Sequence, residues 1–473
     1  MRLESMRPRL RWRTKLGYGS AELGIVSVEV LIELYLLKFY NVTVGLAPHL
    51  TAMALAVAIV WDAVSDPIMG ELSDRTRHPE GRRRPYIMPG AAALAASFIL
   101  IYNPPAVDST SFKFAFLMVS YLCLTTAMTV ISVPHIALAG ELSFDRDERT
   151  QIFGYRRLFT TMGLIVGTIL PAMVIRWLGD ESTAASVAKS RSLSSFLLAG
   201  PLLLTAWITF RSTRGLDRSQ PDSTPRQPFR LGNLMRSQWK VVRSGVFFPI
   251  LAVFIITGVG RTLNASTALY YYDYRLGIRE SDTVLRVFIP FFVCILLSIP
   301  GWVWLARRWG KRWPAFVGVA GGGLIIAISY AFLPPGSLNG AMVASMAAGF
   351  FGGSLILLES LVTDVVDYDE LRTGRQREGL YFGVWKMGNK LSRAVGLVLA
   401  GVLLSLIGFD ETAAMQSAQV SWRLALLFGP AVGGFLLVGS FVLAFAPLTD
   451  ARHRRVQALL LRRRTQRFAR QQK

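Results

Sequence analysis

The stretch Trp61-Asp62-Ala63-Val64-Ser65-Asp66-Pro67-Ile68-Met69-Gly70 decides how the rest of the chain is read. It ends an otherwise apolar run from Leu50 to Met69, about as long as a helix needs to cross the hydrocarbon core of a bilayer. Asp62 and Asp66 are four residues apart, so their carboxylates share one helical face and repel each other. An ionisable group at bilayer depth costs ~2.5–3.5 kcal/mol on insertion scales. Such a pair persists only with something positive between its members: a metal cation, a proton or a basic side chain.

Outward from this stretch, apolar segments of spanning length recur through all 473 residues, 52% of them apolar, with mean hydropathy +0.40. Twelve spans are predicted, at 16–39, 46–72, 86–104, 111–140, 152–178, 193–210, 244–272, 283–306, 314–334, 340–365, 379–408 and 422–448. The net charge of +22 is segregated. Basic residues fill Arg2 to Lys15, the turn Gly81–Arg84, residues 211–243, Arg307–Arg312 and the tail from Arg452, whereas the alternate loops near 41–49, 103–113 and 333–339 hold almost none. The positive-inside rule then puts both termini in the cytoplasm of a multi-pass protein of the cell inner membrane. A transmembrane scaffold accounts for the charge, so no nucleic-acid partner is expected. Cys123 and Cys294 fall in different predicted helices and form neither a disulfide framework nor a metal spacing. No nucleophile elbow, phosphate loop or paired-His motif occurs, which argues against an enzyme and against a resident cofactor.

The spans divide six and six: an N-terminal bundle at 1–210, a polar linker at 211–243 with Pro221, Pro225 and Pro228, a C-terminal bundle at 244–450, and a basic tail at 451–473. The halves look internally related. A Gly/Arg-rich turn follows the second span of each, Gly81–Arg84 and Gly310–Arg312. The fourth span of each runs into an acidic-then-basic junction, Glu141–Arg149 and Asp364–Arg372. Two such halves are the layout of major-facilitator proteins, with a solute site at the midplane between them.

Carboxylate and hydroxyl oxygens at Asp62, Ser65 and Asp66 suit a hard cation such as sodium, and two close carboxylates can instead share a proton. The competing reading is a structural pair neutralised by an arginine near the end of span 2. Lys386, Lys390 and Arg393 form a basic stripe on span 11, and Glu22, Glu29 and Glu33 share a face of span 1. Arg261 and Asn264 share a face of span 7, while Tyr270–Tyr274 is expected as an interfacial aromatic belt. The tail, with Leu459–Leu461 and Phe468 among arginines, is expected to lie on anionic lipid. Gly321–Gly323 and Gly352–Gly353 are expected contact faces or hinges.

Several patches together resemble the glycoside–pentoside–hexuronide:cation symporter family: Lys15–Gly19, Trp61–Gly70 with Pro85-Tyr86 after it, Val133-Pro134, Asp145–Arg149 with Tyr155-Arg156-Arg157, and Asp364–Tyr368 through Lys390. The resemblance implies an all-α membrane protein of twelve transmembrane helices in the major-facilitator fold. It also implies a cation site at Asp62, Ser65, Asp66 and Thr129, with sodium as the metal unless the coupling ion is a proton. Lys390 falls on the lysine linked to both sites and Arg157 on the arginine beside the sugar pocket. Ser65 stands where melibiose carriers have Asn. Two sugar-gripping carboxylates of those carriers fall on Val26 and Ser132, neither of which is a carboxylate; Glu22 and Glu29 lie one turn to either side of Val26. Family members in animals carry lysophospholipids and keep the span 2 acids and the span 11 lysine. The expectation is therefore a monomeric cation-coupled importer of a small solute, a glycoside, pentoside or hexuronide, with an amphiphile carrier as the alternative and a non-transporting membrane scaffold as the lesser one. The expected partners are solute, coupling cation and membrane lipid.

Overall fold

The computed structural model describes residues 10–143, 146–179, 181, 183–216, 231–374, 377–411, 413, 415–446, 452 and 455–459, without the side chains of 146, 147, 149, 150, 231 and 233–235. The linker prolines, residues 460–473 of the tail and Asp145 lie outside the described residues. The chain divides into two compact units: 1–229 with 410–413, and 230–409 with 414–473.

The first unit contains α1 (Trp12–Gly19), α2 (Ala21–Lys38), α3 (Pro48–Arg75), α4 (Ile87–Ile101), α5 (Thr110–Leu142), α6 (Arg146–Leu178) and α7 (Ala184–Ser212). The second contains α8 (Leu231–Val242), α9 (Phe247–Tyr270), α10 (Glu280–Thr283), α11 (Ile289–Trp309), α12 (Arg312–Phe332), α13 (Leu338–Gly352), α14 (Ile356–Thr373), α15 (Glu378–Leu406), α16 (Ala418–Leu426) and α17 (Val432–Ala444). Among the described residues, eleven helical segments are long and apolar enough to cross a membrane. The predicted first span falls short of that measure because α2 carries Glu22, Glu29, Glu33 and Lys38 within its 18 residues. It is a helix nonetheless, since its charges turn toward protein partners rather than lipid.

Local chemistry fixes the helix ends. Ser109, Thr183 and Ser417 accept hydrogen bonds from the backbone N–H three residues on, at Phe112, Ser186 and Val420. Gly310 after α11 and Gly374 after α14 have φ of 86° and 71°, a backbone region that favours glycine and ends a helix. Across α3, Val57, Val60, Val64, Ile68 and Leu72 are exposed at helical spacing, while Ser65, Met69 and Ser73 are buried. An exposed apolar stripe is what a helix presents when its solvent is hydrocarbon.

Within each unit the helices pack by one pattern. In the first, α2 lies on α6 and α7, α3 on α5, and α4 on α5 and α7. In the second, α9 lies on α15 and α17, α11 on α13, and α12 on α13 and α17. The correspondence of spans 1, 2 and 3 with 7, 8 and 9 is the structural form of the internal repeat. It extends to the ends of the helices. Arg82 and Arg83, after α3, each come within 2.6 Å of Glu141 at the end of α5. Lys311, after α11, lies 2.5 Å from Asp364 in α14. The Gly/Arg turn and the acidic junction, separate motifs in the sequence, are thus partners in space in both halves.

The expected interfacial belt at Tyr270–Tyr274 is corrected. Tyr270, Tyr271 and Tyr272 are fully buried. Tyr271 stacks on Phe428 with ring centroids 4.5 Å apart and donates its hydroxyl to the Tyr330 carbonyl at 2.7 Å. Rings whose hydroxyls find protein acceptors need no headgroup region.

Candidate functional site

The helical phase of α3 brings Asp62, Ser65 and Asp66 onto the face that meets α5. The Thr129 hydroxyl reaches Asp62 Oδ1 at 2.7 Å and Asp66 Oδ1 at 3.1 Å. The Ser65 hydroxyl lies 3.2 Å from the Thr129 hydroxyl and 3.2 Å from the Asp62 carbonyl. Ser65 and Thr129 are buried, and both aspartates are half-buried. All the side chains predicted for the cation site therefore converge at one point of one unit. Every donor atom in the set is oxygen, the chemistry preferred by sodium and other hard cations over zinc or copper. The Thr129 hydroxyl carries one proton and faces two carboxylates, so it can donate fully to only one of them at a time. A cation or an added proton between them relieves that shortage. Arg75, the arginine that ends α3, pairs instead with Glu71 one turn earlier. Trp61, one residue before the site, donates its indole N–H to the Thr126 hydroxyl at 2.9 Å, a second tie between α3 and α5 that spacing did not reveal.

Glu22 forms a separate buried cluster. Arg156 Nε donates to Glu22 Oε1 at 2.6 Å, and the Thr160 hydroxyl donates to Oε2 at 3.3 Å. His135 Nδ1 stands 3.4 Å from Oε1 without hydrogen-bond alignment. Arg157, the arginine singled out from the sequence, is exposed, and its neighbour Arg156 holds Glu22. A signal for this existed. Arg156, Thr160, Gly163 and Gly167 recur at 4, 3 and 4, and a Cβ at Gly163 or Gly167 would stand 2.7 or 2.4 Å from the Leu23 or Ser27 carbonyl of α2. The stripe of small residues marks the face of α6 that meets α2, and Arg156 belongs to it. Val26 packs on the same stripe, its Cβ 3.0 Å from a Cβ built at Gly163. Glu29 and Ser132 are half-buried.

Lys386, Lys390 and Arg261 belong to the second unit. Lys386 and Arg261 are exposed, while Lys390 is half-buried. The Phe254 ring stacks on Trp385 with centroids 3.7 Å apart, and the Arg261 guanidinium lies 5.8 Å from the Phe254 centroid. Arg261 thus lies beside an aromatic pair joining α9 to α15.

Outside the spans, Glu148 anchors the first helix. It accepts from the Leu10 N–H at 2.7 Å and lies 3.2 Å from Lys15 Nζ. Burial pushes its carboxyl up, but the hydrogen bonds from Ser143, Leu10 and Lys15 and the Lys15 charge together hold it below the usual carboxylate range.

The family described as MFS/sugar transport protein matches residues 17–450. The chain is 26% identical to the putative glycoside/cation symporter YagG of Escherichia coli strain K12, over 96% of each chain. It is 26% identical to the inner membrane symporter YicJ of the same strain, over 88% of this chain and 87% of that one. It is 22% identical to the sodium-dependent lysophosphatidylcholine symporter 1-B of Danio rerio, over 90% of this chain and 85% of that one. Among solved structures, a bacterial homologue of the human lysosomal transporter Spinster superposes with TM-score 0.66 at 14% identity, covering 95% of this chain and 97% of that one. The nucleoside transporter NupG superposes with TM-score 0.63 at 11% identity, covering 92% and 100%. At these identities the structures speak to the fold alone.

Proposed function

Because the chain belongs to the MFS/sugar transport protein family, a family of transporters and not enzymes, we propose that it is a secondary symporter in which Asp62, Ser65, Asp66 and Thr129 bind a coupling sodium ion or proton. The observation that carries this reading is the convergence of two carboxylates on the single Thr129 hydroxyl. Relatives described as a glycoside/cation symporter and as an inner membrane symporter support the same reading, with the inner membrane as its location. The bound positive charge offsets the carboxylate pair, so the loaded protein can close around solute where the emptied one cannot. A cation gradient then draws solute inward by alternating access. Lys390 and Arg157 contribute to the solute and coupling path, as do Arg261, Lys386, Glu22, Glu29, Val26 and Ser132. The solute is a glycoside, pentoside or hexuronide.

A second reading, a lysophospholipid or other amphiphile as cargo, is favoured by Val26 and Ser132, which lack the charge that would grip sugar hydroxyls, and by the lysophosphatidylcholine symporter among the relatives. Uptake into cells expressing the protein, with labelled glycosides, pentosides, hexuronides and lysophosphatidylcholine under an imposed sodium or proton gradient, separates the two. Asp62→Asn and Asp66→Asn are each expected to abolish gradient-driven accumulation while membrane insertion is kept. Undiminished accumulation in either variant overturns the assignment.

A further inference from the structure

Helix α8 stands outside the membrane spans, and cation coupling at Asp62 and Asp66 makes no use of it. We propose that its outer face, formed by Arg236, Trp239, Lys240 and Arg243, docks on the headgroup phosphates of anionic phospholipids where α9 enters the bilayer.

Trp239, Lys240 and Arg243 follow Arg236 by 3, 4 and 7 residues, which places all four on one helical face. Arg243 belongs to that face although α8 ends at Val242, because its N–H still bonds the Trp239 carbonyl at 3.0 Å. All four residues are exposed. On the other side of the helix Val241 is buried and Gln238 half-buried. Val241 packs in one apolar cluster with Phe247 in the first turn of α9 and with Tyr381 and Val384 in the first two turns of α15. Helix α8 therefore lies against the ends at which two spanning helices begin. That is the depth of the headgroups, and its buried side fixes it there.

The connection to α9 has no slack. The Ser244 N–H bonds the Val241 carbonyl at 3.0 Å, and the Phe248 N–H bonds the Ser244 carbonyl at 2.9 Å. Phe248 is exposed in the first turn of α9. Between Arg243 and Phe248 the outward side chains thus change from guanidinium to phenyl. A chain entering a bilayer meets phosphate and then hydrocarbon in that order.

Among the described residues, no carboxylate pairs with Arg236, Lys240 or Arg243. No acidic residue occurs in the sequence between Asp222 and Asp273. Like charges at helical spacings of 3 and 4 repel, so this face gains from an anion supplied from outside. A face that met only water would gain nothing from a large apolar ring, yet Trp239 is 55% exposed among the cations. The Arg243 guanidinium lies 5.0 Å from its ring centroid. Indole rings favour the headgroup zone, and basic clusters beside a span favour an anionic membrane surface. Both preferences select one occupant, the phosphate of a lipid in the bilayer that holds α9. A soluble acidic protein would meet the cations without giving the ring the zone it favours.

The test is hydrogen–deuterium exchange on the full-length protein in lipid nanodiscs. Discs of phosphatidylcholine alone are compared with discs in which phosphatidylglycerol replaces about a third of it. Each basic residue near an anionic surface is worth roughly a fivefold factor. Amide exchange over residues 236–243 is therefore expected to slow by about tenfold or more in the anionic discs. In roughly 1 M salt, where charges are screened beyond about 3 Å, the difference should vanish. A variant combining Arg236→Gln, Lys240→Gln and Arg243→Gln should exchange alike in both lipids, with α9 protected as in the unmodified protein. Equal exchange of the unmodified protein in the two lipids overturns the proposal, as does a difference that persists in the variant or in high salt. Slowing by added polyglutamate in phosphatidylcholine discs, without an effect of phosphatidylglycerol, would assign the face to a soluble acidic partner and overturn it too. The lipid comparison needs no variant, solute or coupling cation, so it stands or falls separately from coupling at Asp62.

Discussion

At the scale of single residues, one hydroxyl meets two acids. Thr129 can donate to Asp62 or to Asp66. Removing that hydroxyl leaves two repelling carboxylates with less to bridge them. A hydrogen bond to a charged group is worth ~1.5–3 kcal/mol. Thr129→Val is therefore expected to lower the apparent affinity for the coupling cation by about tenfold or more. Thr129→Ser, which keeps the hydroxyl, should stay near the unmodified value. The readout is the cation concentration that half-saturates thermal stabilisation of the purified protein, since a ligand bound only by the folded state raises stability by mass action. Equal midpoints for Val and Thr would remove Thr129 from the site. Asp62, Ser65 and Asp66 were legible from spacing because helical periodicity is a local rule. Thr129 was not: a lone Thr in a membrane helix ordinarily bonds its own backbone, and only the family resemblance pointed to it. Arg156, the neighbour of Arg157, shows the same limit. Adjacent helical residues point about 100° apart, and only packing on α2 decides which of them meets Glu22.

At the scale of elements, α2 and α6 touch through glycine. A Cβ on Gly167 would lie 2.4 Å from the Ser27 carbonyl oxygen, whereas nothing lies within 4 Å of one on Gly154 of the same helix. Overpacking of this kind costs ~1–3 kcal/mol. Gly167→Ala should lower the melting temperature by several degrees, and Gly154→Ala should leave it unchanged or slightly raised. Equal effects would mean that α2 and α6 are not in this register. Gly321–Gly323 serve the same end in the second unit: Gly321 faces the Phe351 ring and Gly323 the Gly433 carbonyl. The first helix is held more conditionally. The Glu148 carboxyl is lowered in the folded chain, so its contribution is fully present above the ordinary glutamate value of 4.5 and is lost as pH falls through the lowered one. Amide protection over residues 10–19, corrected for intrinsic exchange, should therefore fall on acidification below that range, and Glu148→Gln should give the same loss at neutral pH. Protection that does not respond to either change would mean that other contacts hold α1.

At the scale of the whole molecule, alternating basic and nearly uncharged loops predict topology. A fluorescent protein fused to the C-terminus should fold and emit in the cytoplasm, and alkaline phosphatase fused there should stay inactive. The opposite pair of results would invert the orientation. The membrane-spanning helices and the paired motifs of the two halves could be read along the chain. In a hydrocarbon solvent every backbone polar group must be satisfied within its own segment, so apolar length alone dictates helix. The same local rule put two acids on one face and made them a demand for positive charge. Tertiary structure decided which groups answer each demand. It joined Arg82 and Arg83 to Glu141 and Lys311 to Asp364, buried Tyr270–Tyr272 away from the interface, and set His135 against Glu22. Each of these depends on the rotation of one helix about its axis relative to another. The interlocking of side chains fixes that rotation, and no periodicity within a single helix encodes it.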